Sequence, residues 1–585
     1  PSAMVLAQHR RVRFLDFDGR LKALIEWALY DTIEEADIKR SIRGRLYTGD
    51  GGVGKTRLAL ELAQELDDRG WEIVRVRQTA DPGTVWRAIE GDPKSGAEPE
   101  GLLIILDYAE TRPDVLTSIA AAACAGEDRP GRPIRILALS RQAGAWWSET
   151  YNGQSTMAMF ERAPQDLSVA QTSLSPDQRQ ALFKAAHSEF QSELEKFDLA
   201  GTANHQPDLL APGFARPLAI LFAAYLSARG ETVTTSLNLI REMLGEEKNS
   251  WTRYFAAKGA AQDRDRRDML ARALCQVTLC QGAPEPLVKS LIAADTFFGE
   301  RTPNMISRTL RDLRQFYPGA EADLIGGLEP DILGEALIGD MLETGDGADL
   351  VTKTVRSIFE QDEARTGPGQ SVAQVFIRGT QNPDLRVVGA FETFLKRLCR
   401  NVEQGDFDGP ALSALEAVMP TYSVALGGLK LSLAERALAL AGSEMSEAER
   451  ARVLRNLGVR SSDLGRREAA LAATEEAVEM YRALAAKNPD AFRPDLASSL
   501  YVLGNILVTL ERTDEAVDAY SEAAALLLPF YQSFRDAMSG LYSANLRHLV
   551  RALELKGDSS LAIRNHLTSL GVPEEMIETA LAGLS

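Results

Sequence analysis

Gly49-Asp50-Gly51-Gly52-Val53-Gly54-Lys55-Thr56 is the stretch that decides the fold of this 585-residue chain. It matches the pattern G-x-x-x-x-G-K-[ST], a loop whose backbone N–H groups surround phosphate oxygens. Glycines permit this approach because a Cβ would obstruct the phosphate. Lys55 can reach the β- and γ-phosphates as a positive charge, and the hydroxyl of Thr56 can bind Mg²⁺. The stretch therefore predicts binding of a nucleoside triphosphate.

Apolar residues at helical spacing follow the loop directly. They run from Leu58 through Leu60 and Ala63 to Leu66. They predict an α-helix whose N-terminus faces the phosphates, where the helix dipole favours an anion. The nucleotide contacts are expected from the loop and the first helical turn: Gly49, Gly51, Gly52, Val53, Gly54, Lys55, Thr56 and Arg57.

Composition restricts the class of protein. The length predicts roughly four domains, and the net charge of −18 argues against nucleic-acid binding as the main role. Four scattered cysteines without a CxxC motif predict buried free thiols in a reducing cytosol. The apolar run 217–226 is too short to span a bilayer, and we expect a cytoplasmic protein. We interpret Pro1-Ser2-Ala3-Met4 as an expression remnant.

Four apolar stretches predict the strands of a parallel sheet. They are Arg45–Tyr47, Glu72–Val76, Leu102–Leu106 and Ile134–Leu139. The third is continuously apolar, as in a strand buried on both faces, and it ends at Asp107. A carboxylate at the end of such a strand lies where open α/β sheets bind ligands, so we expect Asp107 to bind Mg²⁺ together with Thr56. The alternative is an aspartate that only caps a following helix.

Two further polar residues are candidates for catalysis. Glu110 is the acid nearest to Asp107 in sequence and could orient or deprotonate the attacking water. It could equally be a solvated first-turn glutamate. Arg141 follows the fourth strand and could contact the γ-phosphate and report its presence, unless it is simply a surface arginine. The predicted catalytic set is therefore Lys55, Asp107, Glu110 and Arg141.

The order of these motifs resembles the STAND class of signalling P-loop ATPases, which includes the NB-ARC and NACHT families. The resemblance implies an α/β P-loop domain, a helical domain and a winged-helix domain, with ATP or ADP and Mg²⁺ as ligands. Leu174-Ser175-Pro176-Asp177 opens the expected helical domain. Ala215-Arg216-Pro217-Leu218-Ala219 matches the family's GxPLA segment with alanine in place of glycine. Pro217 is accordingly expected near the adenine, although a proline in a first helical turn needs no function.

One segment departs from the family pattern. Leu328–Glu335 resembles the family segment Met-His-Asp-Leu-Leu, but Pro330 occupies the histidine position. No histidine occurs between His205 and His548. A histidine contact to the ADP β-phosphate, which locks many relatives in an inactive state, is therefore impossible here. Another group must hold such a state if it exists.

The C-terminal part of the chain repeats with a period of 46 residues. Leu454, Leu457, Gly458, Leu464, Ala470 and Ala473 recur as Leu500, Leu503, Gly504, Leu510, Ala516 and Ala519. A degenerate third copy contains Leu546, Leu549 and Ala562. Asn488-Pro489 and Pro494 are expected to break the chain between units. The units resemble tetratricopeptide repeats, whose helical hairpins bury their apolar faces only against their neighbours.

The sequence therefore predicts a multidomain protein with an α/β P-loop sheet, a helical domain, a winged helix and an all-α solenoid. Gly367-Pro368-Gly369 is expected to form a loop within an irregular connector. The predicted division is 1–40 for a lead-in strand and helix, 41–175 for the P-loop domain, 176–250 for the helical domain, 251–345 for the winged helix, 346–420 for the connector and 421–585 for the repeats.

The leading hypothesis for function is a switch with slow ATP hydrolysis. ADP would be held at rest, a protein trigger at the repeats would promote exchange for ATP, and self-association would activate an effector outside this chain. The resemblance implies roles such as bacterial immune sensing or regulated cell death. The alternatives are a STAND-type transcription regulator whose DNA-binding domain is separate or missing, a conventional ATPase motor and a repeat scaffold. Neither a membrane nor a nucleic acid is an expected partner of the leading hypothesis.

Overall fold

The computed structural model describes most of the chain. The described residues are 12–29, 42–76, 99–124, 132–141, 143–153, 155–167, 174–201, 207–233, 238–258, 264–295, 297, 303–319, 323–360, 367–407, 409–418, 426–440, 446–533 and 535–581. The expression remnant at Pro1–Met4 and His205 lie outside them. The chain divides into two compact units: unit 1 comprises Pro1–Gly144 and Met159–Leu395, and unit 2 comprises Ala145–Ala158 and Lys396–Ser585.

A five-stranded parallel sheet forms the core of unit 1. Its strands are β1 (Ile42–Thr48), β2 (Glu72–Val76), β3 (Leu102–Leu106), β4 (Ile134–Leu139) and β5 (Gln165–Asp166), in the spatial order β2-β3-β4-β1-β5. All four predicted strands are present. Every residue of β3 is buried, as its continuous apolar run predicts. Strand β5 was not predicted because its two exposed polar residues have no strand pattern.

Helices surround this sheet and continue through the rest of unit 1. They are α1 (Arg20–Leu29), α2 (Lys55–Asp67), α3 (Pro113–Cys124), α5 (Pro176–Glu195), α6 (Pro217–Ala228), α7 (Leu239–Ala257), α8 (Arg264–Leu279), α9 (Glu285–Ala294), α10 (Pro303–Phe316), α11 (Asp331–Leu342), α12 (Gly345–Glu360) and α13 (Gly367–Gly379), with α4 (Gly144–Gly153) between α3 and α5 in the chain. Helix α2 follows the glycine loop, as predicted. Helix α5 begins at the predicted place because Ser175 and Gln178 form a reciprocal capping box.

The described part of the segment predicted as a winged helix (251–345) contains helices and a minimal sheet, between the end of α7 and α11. Helices α8, α9 and α10 accompany β6 (Ala283–Pro284), which pairs antiparallel with β7 (Leu324–Ile325). Each strand has only two residues. The winged-helix assignment stays a prediction.

The connector prediction is wrong in one respect. Regular helices make up most of the described residues in 346–418, and Gly367-Pro368-Gly369 is the first turn of α13 rather than a loop. Proline is compatible with a first helical turn because its missing N–H would have no partner there. Glycine and proline were therefore misleading indicators at a helix start.

Unit 2 is a helical array. Besides α4, it contains residues of α14 (Leu385–Gln404) and then α15 (Gly409–Val418), α16 (Gly427–Leu440), α17 (Glu447–Asp463), α18 (Arg467–Lys487), α19 (Pro489–Thr509), α20 (Thr513–Ser533), α21 (Arg535–Lys556), α22 (Ser560–Ser569) and α23 (Glu574–Leu581). From α17 to α21 each helix packs mainly on its neighbours in sequence. The predicted break at Asn488-Pro489 is confirmed, because α18 ends and α19 begins there. The break predicted at Pro494 is wrong, because this proline lies inside α19.

The repeated glycines permit close packing of the paired helices. A Cβ on Gly458 of α17 would lie 1.9 Å from Thr474 Oγ1 on α18. At the equivalent position in the next unit, a Cβ on Gly504 would lie 2.5 Å from the ring of Tyr520 on α20. Tyr520 is itself almost completely buried. The 46-residue period therefore reflects a repeated contact between two helices.

The cysteines divide into two pairs by burial. Cys275 and Cys280 are fully buried, and burial raises the pKa of each thiol to about 12. Cys124 and Cys399 are only partly buried, so the prediction of buried thiols is wrong for these two. Cys124 is the last residue of α3. Within the described residues, no helix is both long and apolar enough to cross a bilayer.

Gly504→Ala is expected to destabilise unit 2, because the new methyl group overlaps the buried ring of Tyr520. The expected loss of unfolding free energy is about 1–3 kcal/mol, the usual range for overpacking. Urea denaturation followed by circular dichroism measures it. Gly428→Ala is the matched control, since a Cβ there meets nothing within 4 Å. An equal stability of the two variants would contradict the close-packing account.

Candidate nucleotide-binding site

The candidate site lies at the carboxyl ends of three neighbouring strands of unit 1. Strand β4 lies between β1 and β3 in the sheet. The glycine loop follows β1, Asp107 follows β3, and Ser140 and Arg141 follow β4. Residues that are far apart in sequence therefore converge at one edge, where open α/β sheets bind ligands.

The glycine loop has a backbone that only glycine adopts readily. Gly52 and Gly54 have φ angles of +82° and +101°. A Cβ on Gly52 would also lie 3.1 Å from Leu218 Cβ, and the Leu218 N–H donates to the Gly52 carbonyl at 3.2 Å. Leu218 belongs to the segment predicted to resemble GxPLA. The start of α6 therefore packs directly on the loop.

The Lys55 side chain folds back onto the preceding residues of the glycine loop. Its ammonium group donates to the carbonyls of Gly49 and Asp50, at 3.1 Å for the latter. Burial lowers the pKa of Lys55, and the carboxylates of Asp107 and Glu110 oppose this effect. A buried ammonium group enclosed by loop carbonyls is available to exchange these acceptors for phosphate oxygens.

Thr56 and Asp107 meet as the sequence predicts. The Thr56 hydroxyl donates to Asp107 Oδ2 at 2.9 Å, and the Tyr108 N–H donates to Asp107 Oδ1 at 2.9 Å. Burial raises the pKa of the Asp107 carboxyl, whereas Lys55 and the Thr56 hydroxyl lower it. The two predicted metal ligands thus lie in direct contact, which brings the start of α2 to the end of β3.

Glu110 is oriented by the strand-end backbone. It lies in a short 3₁₀ turn (Ala109–Thr111), and its Oε1 accepts from the Arg141 N–H at 3.0 Å. Its Oε2 is buried and has no hydrogen-bond partner among the described residues. Burial raises the pKa of this carboxyl, while the Arg141 N–H and Lys55 oppose the rise. An oriented carboxylate oxygen that is still able to accept a proton fits the predicted role of a base.

Arg141 lies beside the loop and is not a surface residue. A Cβ on Gly51 would lie 3.7 Å from its Nη2. The guanidinium donates to Glu335 Oε1 at 3.0 Å and to the Arg378 carbonyl at 3.1 Å. Burial would lower the pKa of Arg141, but the Glu335 carboxylate holds it above its usual value. The predicted phosphate sensor is therefore bound by residues of α11 and α13.

Of the other predicted nucleotide contacts, Gly49 and Pro217 lie at the loop, whereas the side chains of Val53 and Arg57 have other partners. The Gly49 N–H donates to the Arg141 carbonyl at 3.1 Å, and Pro217 is the first residue of α6 on the Gly52 side of the loop. Val53 packs against the apolar core between the sheet and its helices. The Arg57 side chain points away from the loop, donating to the Val12 carbonyl at 3.0 Å and pairing with Glu61. A contact between Arg57 and a nucleotide therefore stays a prediction, and the backbone of Arg57 would have to make it.

Five residues at the site were not predicted from the sequence. They are Tyr108, Asp331, Glu335, Arg378 and Asn382. Tyr108 has a positive φ of 55° and donates its hydroxyl proton to Asp331, while Arg378 lies 4.7 Å above its ring. The sequence offered two signals: the tyrosine directly after Asp107, and the segment Leu328–Glu335, which contains Asp331 and Glu335. Arg378 lies in the stretch predicted as a connector without chemistry, and only the three-dimensional fold brings it here.

The site fits a magnesium-bound nucleotide by its chemistry. One hydroxyl and one carboxylate are hard oxygen ligands, and Mg²⁺ completes its shell with phosphate oxygens and water. Among the described residues, no group of three or more His, Cys, Asp and Glu side chains could hold a metal by itself. When bound, the ion would neutralise charge on the β- and γ-phosphates. Thr56 and Asp107 are the residues that would hold it.

Comparisons with known proteins give only distant likenesses. No known family profile and no curated protein matches the chain. A Signal Transduction ATPase with Numerous Domains (STAND) protein with a tetratricopeptide repeat sensor from Pyrococcus horikoshii is 13% identical, with 98% of each chain covered and a TM-score of 0.24. The ORC2 protein of Aeropyrum pernix is 14% identical, covering 56% of this chain and 94% of its own, at a TM-score of 0.25.

A DNA replication initiation factor is 13% identical, covering 63% of this chain and 96% of its own, at a TM-score of 0.22. TM-scores this low carry no weight for fold or function. The P-loop NTPase domain is instead defined by features of the chain itself: the glycine loop, the parallel sheet and the contact between Thr56 and Asp107. Helical repeats follow it in the chain.

Asp107→Asn is expected to weaken the magnesium dependence of ATP binding, because an amide is a poorer ligand for Mg²⁺ than a carboxylate. The gain in ATP affinity on adding Mg²⁺ should fall by about tenfold, which corresponds to about 1.4 kcal/mol. Titration calorimetry with and without Mg²⁺ measures it. Exposed Asp518→Asn is the control. An unchanged magnesium effect in Asp107→Asn would place the ion elsewhere.

Glu110→Gln is expected to lower the rate of ATP hydrolysis by about 10²-fold or more, the usual contribution of a general base. ATP affinity should change little, because glutamine can still accept from the Arg141 N–H. The raised pKa of Glu110 means that the basic form is lost at a higher pH than for an exposed glutamate as the solution is acidified. Single-turnover hydrolysis across pH measures both effects. An unaltered rate in Glu110→Gln would leave this carboxyl only a structural role.

Proposed function

We propose that the chain is an ATP/ADP-dependent signalling switch of the STAND type that hydrolyses ATP slowly. The observation that supports this most directly is the position of Arg141. This residue lies beside the phosphate loop, yet its guanidinium binds Glu335 of α11 and the Arg378 carbonyl of α13. A change at the phosphates would act on these helices through a single side chain.

Differential affinity is the physical requirement for such a switch. A nucleotide shifts a conformational equilibrium only by as much as its binding free energy differs between the two states. The γ-phosphate distinguishes ATP from ADP, and Arg141 is the cation placed to interact with it. Tyr108 adds a second link between the strand end and α11 through its hydrogen bond to Asp331. ATP and ADP would therefore favour different positions of α11.

The repeats are the proposed sensor. They form a continuous array in which each hairpin buries its apolar side on the next, and such arrays provide extended binding surfaces. A protein trigger bound there and ATP bound in unit 1 would favour the same open state. Open chains would then associate with one another and activate an effector that is not part of this sequence. Immune sensing in bacteria is the role that the family resemblance suggests.

Turnover distinguishes this proposal from a conventional ATPase motor. A switch retains its nucleotide and hydrolyses it slowly, whereas a motor releases product rapidly. The Arg141–Glu335 pair is buried and already formed in this structure, and breaking it would leave a buried charge without this partner, which favours slow switching over rapid cycling. The identity and stoichiometry of the nucleotide that copurifies with the protein would separate the two.

Transcriptional regulation is the second candidate function, and one surface favours it. Helix α10 presents three exposed arginines, Arg308, Arg311 and Arg314, although Arg314 pairs with Glu285. From the sequence, the acidic balance and the lack of a basic recognition helix weighed against the regulator, and the exposed arginines of α10 were not noticed. DNA binding that weakens steeply with salt, and that is lost on replacing Arg308 and Arg311, would favour the regulator.

Lys55→Ala is expected to abolish ATP-dependent self-association, because the variant lacks the charge that binds the β- and γ-phosphates. In the parent, addition of MgATP should increase the mass measured by light scattering, more so with a trigger present. MgADP should leave the mass of the parent unchanged. Identical behaviour of Lys55→Ala and the parent would refute the switch.

A further inference from the structure

Glu335 is the central acceptor of a buried charge cluster next to the phosphate loop. Its Oε1 accepts from Arg141 Nη2 at 3.0 Å and lies 3.2 Å from Arg378 Nε. Its Oε2 accepts from the Asn382 side chain at 2.7 Å. Both carboxylate oxygens are therefore bound, and one oxygen lies between two guanidinium groups.

The members of this cluster are almost inaccessible to water. Arg141, Glu335 and Arg378 are 8%, 1% and 3% exposed. A buried guanidinium left without a partner is strongly unfavourable, so Arg141 needs an anionic partner in every state of the protein. In this structure Glu335 is that partner.

A second anion could reach the same guanidinium. Arg141 Nη2, the atom that binds Glu335, is also the atom nearest to the Gly51 side of the loop. Phosphates bind over the backbone of such a loop. A carboxylate and a phosphate use the same geometry to bind arginine, so they compete for it.

We propose that Glu335 is an internal competitor of the γ-phosphate: it occupies Arg141, with Arg378 as its second anchor, and is displaced by ATP but not by ADP. This inference rests on the proposed nucleotide switch and names its regulation. Arg378 also lies near Asp331, 3.6 Å from Nη2 to Oδ1, so it is paired with two carboxylates of α11. Displacement therefore leaves Glu335 with Arg378 and Asn382 but without Arg141, so α11 loses its ion pair to the residue that follows β4 and is free to move.

The competition predicts how the affinities for ATP and ADP depend on Glu335. With Glu335 in place, ATP must replace an ion pair before it can use Arg141, whereas ADP has no γ-phosphate and does not compete. Removing the charge of Glu335 should therefore strengthen binding of the triphosphate selectively. Glu335 is thus a positioning residue that acts through Arg141, with no contact to the nucleotide of its own.

The test measures Kd values of the full chain for Mg²⁺ with ADP and with adenosine β,γ-imidotriphosphate, which resists hydrolysis. Glu335→Gln keeps the size of the side chain and one acceptor oxygen, and it removes the charge. We expect it to bind the triphosphate about tenfold more tightly than the parent does, a difference typical of one charge-assisted contact, with the Kd for ADP nearly unchanged. Asn382→Ala removes only the hydrogen bond to Glu335 Oε2, so we expect a smaller gain in triphosphate affinity. This variant still tests the proposal if Glu335→Gln folds poorly.

Two controls isolate the mechanism. Asp340→Asn makes the same carboxylate-to-amide change on the same helix, but Asp340 pairs with Lys248 and Arg386 and does not touch Arg141. It should leave the ratio of triphosphate to ADP affinity unchanged. In the background of Arg141→Ala, Glu335→Gln should have no selective effect, because the contested guanidinium is missing.

The outcomes separate the inference from the function on which it rests. A ratio of triphosphate to ADP affinity that is the same in Glu335→Gln, Asn382→Ala and the parent overturns the competition while leaving nucleotide binding intact. A selective gain that persists in the Arg141→Ala background also overturns it. If the parent binds neither the triphosphate nor ADP, the proposed switch and the competition are both overturned.

Discussion

The hydrogen bond between the Thr56 hydroxyl and Asp107 joins the two halves of the candidate site. The strand order makes this contact possible. Strand β4 lies between β1 and β3, so Thr56, at the end of the loop after β1, and Asp107, directly after β3, meet at the carboxyl end of β4. Arg141 follows that intervening strand and enters the same space. The positions of the predicted metal ligands, the loop lysine and the predicted phosphate sensor thus depend on a single strand order.

Charge burial then connects this site to the rest of unit 1. Arg141 and Arg378 are almost inaccessible to water, and both are paired with Glu335. Such pairs contribute little net stability, because desolvation offsets most of the attraction, but removing one partner is costly. The consequence is conformational specificity. In the proposed switch, helices α11 and α13 would remain on the strand ends only while Arg141 has no stronger anion to bind.

The sequence predicted the parts of the fold that depend on local patterns. The glycine loop, four of the five strands, the capped start of α5 and the 46-residue repeat were all visible, because each is encoded by neighbouring residues or by a fixed period. Gly458 and Gly504 show why the period exists: each accepts a side chain of the partner helix where a Cβ would not fit. Where Gly367-Pro368-Gly369 suggested a loop, the first turn of a helix tolerates the same residues.

The unpredicted part of the site is non-local. Tyr108 is adjacent to a predicted residue, but Glu335 and Arg378 are contributed by helices far along the chain, and no spacing rule links them to Arg141. The missing histidine at Pro330 meant that another group must hold an inactive state if one exists, and Glu335 lies in the same segment, Leu328–Glu335. The sequence raised that question without identifying the residue.

The structure of the full chain bound to Mg²⁺ and adenosine β,γ-imidotriphosphate tests the central claim most directly. The account predicts phosphates over the glycine loop, the ion on Thr56 and Asp107, and the Arg141 guanidinium on the γ-phosphate instead of on Glu335. A triphosphate bound elsewhere, or an ion without Thr56 and Asp107 in its shell, would contradict it.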